Sequence, residues 1–282
     1  MRIVSLLPST TEILFAIGAG PDVVGVSFEC DFPEEARSRR IVSTSAMPEG
    51  LSPREIDDFV AAAMTRGDDL YHLDEGALAD IDADLVVTQD LCAVCAVDVS
   101  VIDDALAHLG CKAEVLTIDP HTLQEVFVSI RTLGRVTGRE QAAEALVADQ
   151  HRRLEQVVRR VAHRSRPGVV LLEWTDPPFA PGHWIPEMID LAGGEPVLGT
   201  AGEKSVRTTW EDVRAAEPDV IVVAPCGYDR DGSQALADEI ADRLPVGVPV
   251  HAVDANASWA RPGTRLIDGI EELATILDDL SG

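Results

Sequence analysis

"RIVSLLPSTTEILFAIGAGPDVVGVS" (residues 2–27) decides the fold. "RIVSLL" (2–7) is a short run of β-branched residues and leucines, the pattern of a buried strand. Ser9 and Glu12 in "STTE" stand at capping-box spacing, which predicts a helix opening there. The apolar stretch that follows stops at Gly18 and Gly20, residues suited to end a helix. "VVGVS" (23–27) is then a second strand. Strand, helix and strand in so short a span form the repeating unit of a parallel sheet.

The alternation continues outward from this unit. "RIVST" (40–44), "DLVVTQ" (84–89) and "AEVLTI" (113–118) read as strands, with a helical stretch over 99–109. Ser52 and Glu55 make a second capping box, and Pro53 takes the first helical position. The rhythm breaks after 120. Thr122 and Glu125 form a third box, and helical spacing persists to about His163, with Gly134 and Gly138 marking a bend or a break. Strands resume at "GVVLLEW" (168–174), "DVIVVAP" (219–225) and "PVHAVD" (249–254), and a last helix is predicted over 262–280. The predicted fold is α/β: two Rossmann-like lobes with central parallel sheets, 1–120 and 166–282, joined by a long backbone helix within 121–165.

Composition narrows the function. The chain has 282 residues, 46% of them hydrophobic, which suits a globular protein. Its 49 acidic against 23 basic side chains give a net charge of -26, a surface that repels nucleic acid and anionic membranes. No apolar run is long enough for a membrane span. The opening "MRIVSLLPSTTE" lacks the features of a secretory signal. The expectation is therefore a cytoplasmic chain as given, and an extracytoplasmic one if a leader has been trimmed. Five cysteines do not suggest a disulfide framework. GxSxG, P-loop, GxGxxG and HExxH motifs are missing, so no enzyme is expected.

In open parallel sheets, ligands bind beyond the carboxyl ends of the strands. That rule selects Pro8, Ser9 and Thr10 after the first strand, and Phe28 and Cys30 after the second. It selects Asp90, Cys92 and Cys95 after 84–89, then Phe179, His183 and Trp184 after 168–174. Cys226 and Tyr228 follow 219–225, and Trp259 and Arg261 follow 249–254. Aromatic and thiol residues gathered at strand ends imply a ligand cleft between the lobes. Trp184 and Trp259, on loops, read as surface contacts rather than core. His183 reads first as a structural histidine and second as a ligand. Arg261 serves either a ligand carboxylate or phosphate, or one of the many acidic side chains. The Cys92–Cys95 pair admits packing, contact with a metal or cofactor, or redox cycling. With Cys30 it offers three thiolates, one short of a closed zinc site.

The opening stretch, with "LADIDADLVVTQDLC", "WEDVRAAEPDVIVVAPCG" and "RPGTRLIDGIEELA", resembles the iron-siderophore and vitamin B12 class of substrate-binding proteins across nearly the whole chain. "FECDFP", "QDLCAVCAV" and "PPFAPGHWIPEMIDLAGG" resemble its cobalamin-binding branch. The resemblance implies capture of cobalamin or a related corrinoid and delivery to an ABC permease. It leaves the thiols unexplained. The alternative is a redox protein or enzyme with a thiolate-bound metal or iron–sulfur centre at Cys30, Cys92 and Cys95.

Overall fold

The computed structural model describes residues 1–68, 70–73, 78, 80–89 and 113–280. The chain divides into two compact units. Unit 1 holds Met1–Asp119 and Phe127–Val147; unit 2 holds Pro120–Val126 and Ala148–Gly282.

Unit 1 opens with β1 (Ile3–Ser5), α1 (Pro8–Ala16) and β2 (Val23–Val26), followed by β3 (Arg40–Ile41) and β4 (Ser43–Ser45). Then come α2 (Pro53–Arg66), β5 (Tyr71–Leu73), β6 (Leu85–Thr88) and β7 (Glu114–Thr117). Its main sheet has the order β3-β2-β1-β6-β7, with every pair parallel. β1 and β6 are buried along their length, which is why they read as unbroken apolar runs. Val4, Leu6, Val42, Tyr71, Ile81 and Val86 pack into the core on one side of the sheet. β4 and β5 form a separate antiparallel pair.

The predicted capping boxes at Ser52 and Thr122 are present. Glu55 N–H donates to Ser52 Oγ at 3.4 Å, and Ser52 N–H donates to Glu55 Oε2 at 2.9 Å. Glu125 N–H donates to Thr122 Oγ1 at 3.2 Å, and Thr122 N–H donates to Glu125 Oε2 at 3.1 Å. The box predicted at Ser9 is not formed. Leu7 is the N-cap and Pro8 takes the first helical turn, so α1 starts two residues early.

The connection over 122–164 is helical as predicted, but it is two helices rather than one. α3 (Leu123–Val136) and α4 (Glu140–Val161) are separated at Gly138, whose φ of +65° is open to glycine at little cost. A Cβ on Gly134 would lie 2.4 Å from that of Ala143, so a glycine is needed where the two helices meet.

Unit 2 contains β8 (Gly168–Leu172), β9 (Trp174–Thr175), β10 (Pro178–Ala180), α5 (Ile185–Leu191) and β11 (Glu195–Pro196). β12 (Val206–Arg207), α6 (Trp210–Ala215), β13 (Val220–Val223) and α7 (Arg230–Glu239) follow, then β14 (Val250–Ala252), α8 (Ala255–Ser258) and α9 (Leu266–Asp279). The parallel sheet runs β11-β8-β13-β14, with β8 and β13 wholly buried. Val170, Leu172, Val213, Ile221, Val223 and Ile240 form its core on one face. Arg153 of α4 clamps α9, reaching Glu271 at 2.9 and 2.7 Å and Asp268 at 2.5 Å. A second, antiparallel sheet, β12-β10-β9, lies outside the strands the sequence predicts, save for Trp174 at the end of the predicted 168–174 strand. No described helix is long and apolar enough to cross a membrane.

Candidate functional site

Both parallel sheets have a switch point, where neighbouring strands leave in opposite directions and a crevice opens beyond their carboxyl ends. In unit 1 it lies between β1 and β6; in unit 2 it lies between β8 and β13.

At the unit 1 switch point the polar side chains turn inward. Ser5 Oγ lies 2.8 Å from Thr10 Oγ1, and Thr11 Oγ1 donates to Ser5 Oγ at 2.8 Å. Cys30 is buried, and its Sγ sits 3.1 Å from Thr11 Oγ1 and 3.2 Å from Ser27 Oγ. Cys30 is thus held in a neutral hydroxyl cluster, and it is not in a disulfide. Pro8, Ser9 and Thr10 are all buried in the first turn of α1. Phe28 faces outward, 38% exposed, with its ring 5.6 Å from that of Tyr71. Asp90, Cys92 and Cys95 lie outside the described residues. Among the described residues, no group of three or more His, Cys, Asp and Glu could hold a metal.

The unit 2 switch point is aromatic and charged. Directly after β8 come Glu173 and Trp174, and after β13 come Cys226 and Tyr228. Cys226 N–H donates to the Glu173 carbonyl at 3.2 Å, which ties the two strand ends together. In the antiparallel ribbon, Phe179 pairs with Trp174 on one side and with Arg207 on the other. Directly opposed residues project from the same face of a sheet. The Tyr228 ring meets that of Trp174 at a 60° tilt with ring centroids 5.9 Å apart, and the Arg207 guanidinium lies 5.9 Å from the Phe179 ring centre. Tyr228, Trp174, Phe179 and Arg207 therefore make a continuous strip of three rings ending in a guanidinium. A cavity of about 750 Å³ borders the same ribbon, with His121, Leu198, Lys204, Arg207 and Asp212 among its walls.

Glu173 has the most perturbed carboxyl here. Burial pushes its pKa up from 4.5 to about 7, against the lowering effect of hydrogen bonds from the Ser205 side chain and the Gly182 N–H. Burial also raises the Tyr228 phenol, with the negative charge of Glu239 adding to the effect.

The other predicted residues divide. Phe179 is in the strip. His183 is half-buried with φ +50°, its N–H donating to the Glu203 carbonyl at 2.6 Å and its ring 5.7 Å from that of His121. Arg261 is half-buried. Trp184 and Trp259 correct the expectation of surface contacts: they are 6% and 1% exposed. Trp184 Nε1 donates to the Trp259 carbonyl at 2.8 Å, so the Trp184 indole N–H is satisfied inside. Glu173, Trp174, Ser205 and Arg207 were missed. The available signal was a carboxylate and a tryptophan placed together at the end of the most apolar strand of unit 2.

A family model described as periplasmic binding protein matches residues 3–246. The chain is 27% identical over 287 residues to an uncharacterized ABC transporter substrate-binding lipoprotein, YvrC, of Bacillus subtilis, covering 97% of this chain and 78% of that one. It is 25% identical over 281 residues to the vitamin B12-binding protein of Yersinia pestis, covering 96% and 84%. The solved structure of the periplasmic heme-binding protein HutB of Vibrio cholerae superposes with a TM-score of 0.70 at 18% identity, covering 98% of each chain. With its two α/β units and parallel sheets, this chain belongs to the periplasmic binding protein family, as a substrate-binding protein of the ABC-importer type.

Proposed function

We propose that the chain captures a corrinoid such as cobalamin and hands it to an ABC permease. The observation that carries this reading is the strip Tyr228–Trp174–Phe179–Arg207 beyond the carboxyl edge of the unit 2 sheet. Aromatic faces suit a broad, flat macrocycle, and a guanidinium suits a phosphate or carboxylate arm. In unit 1, exposed Phe28 on Tyr71 offers a further aromatic surface. The vitamin B12-binding relative from Yersinia supports the corrinoid choice.

Heme is the second reading. It is also flat and anionic, and the Vibrio heme-binding structure shares the fold. Gel filtration after incubation with cyanocobalamin or with hemin separates the two. Co-elution of corrinoid absorption bands with the protein is the expected result. Retention of hemin alone transfers the proposal to heme, and retention of neither overturns the chelate reading.

A further inference from the structure

The chain between β10 and β12, residues 181–205, is a long excursion that includes α5 and β11. Its two ends come together in a tight neck. A Cβ on Gly182 would stand 2.4 Å from the Ser205 nitrogen and 2.4 Å from the Glu203 carbonyl oxygen, so only glycine fits. His183 N–H donates to the Glu203 carbonyl at 2.6 Å, and Gly202 N–H donates to the His183 carbonyl at 2.9 Å. Glu173 completes the closure from outside the excursion: its carboxyl accepts from Gly182 N–H on one side of the neck and from the Ser205 hydroxyl on the other. Gly182 follows β10 after one intervening residue and Ser205 immediately precedes β12, the strands that carry Phe179 and Arg207.

We infer that Glu173 is a positioning residue for ligand capture, a latch across the Gly182–Ser205 neck that holds Phe179 and Arg207 in register for a flat ligand with an anionic arm. This inference rests on the chelate-binding reading above. A neutral side chain would accept the same two bonds without the cost of burying a charge. The carboxyl adds a response to pH. Ionised, it bears the desolvation cost that raises its pKa, which loosens its hold; protonated, it accepts through its carbonyl oxygen without that cost. Its proton balance near neutrality, about 7, places that change within the physiological range.

Other groups are near enough to respond to pH as well. They are His183, Glu203 and Lys204 on the neck, Arg207 and Asp212 beyond it, His121 beside His183, and Cys226 and Tyr228 on the loop after β13. Histidine in particular changes charge in the same interval. The variant E173Q isolates Glu173, because it leaves all of these in place and removes only the carboxyl proton.

The test titrates wild type, E173Q and E173A with cyanocobalamin and with hemin from about pH 6 to about pH 8, where a group of this kind changes charge. Amide hydrogen exchange of the ligand-free proteins is followed at Gly182 and across 203–207. Wild-type affinity should fall as pH rises through about 7. E173Q should bind with a flat profile over that interval. E173A should bind about tenfold more weakly and exchange its Gly182 amide faster. E173A that fails to fold leaves the E173Q profile to decide. An E173Q profile that keeps the wild-type midpoint overturns the inference, as does E173A with unchanged affinity and a protected Gly182 amide. Wild type that holds neither probe overturns the chelate reading and the ligand role of Glu173 with it; variants indistinguishable from a binding wild type overturn the role of Glu173 alone.

Discussion

The two units build the same switch point and fill it with opposite chemistry. In unit 1 the strand ends are closed by a neutral cluster, Ser5, Thr10, Thr11, Ser27 and Cys30, whose members bond one another. In unit 2 they are tied by Glu173, a carboxyl whose burial raises its pKa to about 7. Hydroxyl and thiol groups are inexpensive to bury once paired, whereas a carboxyl carries a desolvation cost even when hydrogen-bonded. The unit 1 cluster is therefore built without a carboxyl, and the unit 2 closure is built on one. The aromatic surfaces follow the same division. Unit 1 presents Phe28 on Tyr71, while unit 2 presents a strip of three rings and a guanidinium.

The contrast breaks most visibly if the buried tryptophans Trp184 and Trp259 belong to the ligand surface rather than to its frame. Trp259 is 1% exposed, and its ring lies where a Cβ on Gly269 of α9 would touch it at 3.1 Å. W259A should cost roughly 3–5 kcal/mol, as large-to-small aromatic changes in a core do. Urea unfolding measures it. A loss under about 1 kcal/mol would return Trp259 to the surface role.

The pH response of unit 2 comes next in size. The folded-state pKa of Glu173 is about 7 against an ordinary 4.5, so between these values the folded protein holds a proton that the unfolded chain has released. Its contribution to stability is therefore present below about 4.5, declines as pH rises through the window, and is lost above about 7. E173Q has no proton to lose. Relative to wild type it should gain nothing near the low end of the window. Above it the gain should reach on the order of 3 kcal/mol, at about 1.4 kcal/mol per decade. Thermal unfolding of both proteins at the two ends of the window reads the difference. An equal offset at both ends means that the carboxyl carries no such burden.

The smallest effect belongs to unit 1 and should be flat with pH. T11V removes the hydroxyl that donates to Ser5 Oγ and contacts Cys30 Sγ. The expected loss is about 1–3 kcal/mol, the cost of leaving a buried polar group short of a partner. A pH-dependent loss centred near neutrality would show that the Cys30 cluster is ionised, and the contrast between the units would fail.

Much of this fold was legible because it rests on local rules. The buried strands β1, β6, β8 and β13 appear in the sequence as apolar runs, and the capping boxes at Ser52 and Thr122 are visible from spacing alone. The Ser9 box failed because Pro8 competes for the same helix start, leaving Thr10 and Thr11 to bond inward. The ribbon was hidden for a different reason. Its strands are very short, and Pro177 and Pro178 interrupt any alternating pattern. Trp184 and Trp259 were misread because loop position suggests exposure, while the bond from Trp184 Nε1 to the Trp259 carbonyl is a tertiary feature that no spacing encodes. Glu173 was one carboxylate among 49 acidic residues. Only the neck, formed by residues distant in sequence from β8, distinguishes it.

Ligand held at the unit 2 strip with Glu173 as its latch must shield the backbone of that strip. Amide hydrogen exchange with and without saturating cyanocobalamin tests it most directly. Slowed exchange across 173–182, 203–207 and 226–228 is the predicted footprint. Retained corrinoid with no change in exchange at any of the three unit 2 segments would contradict it.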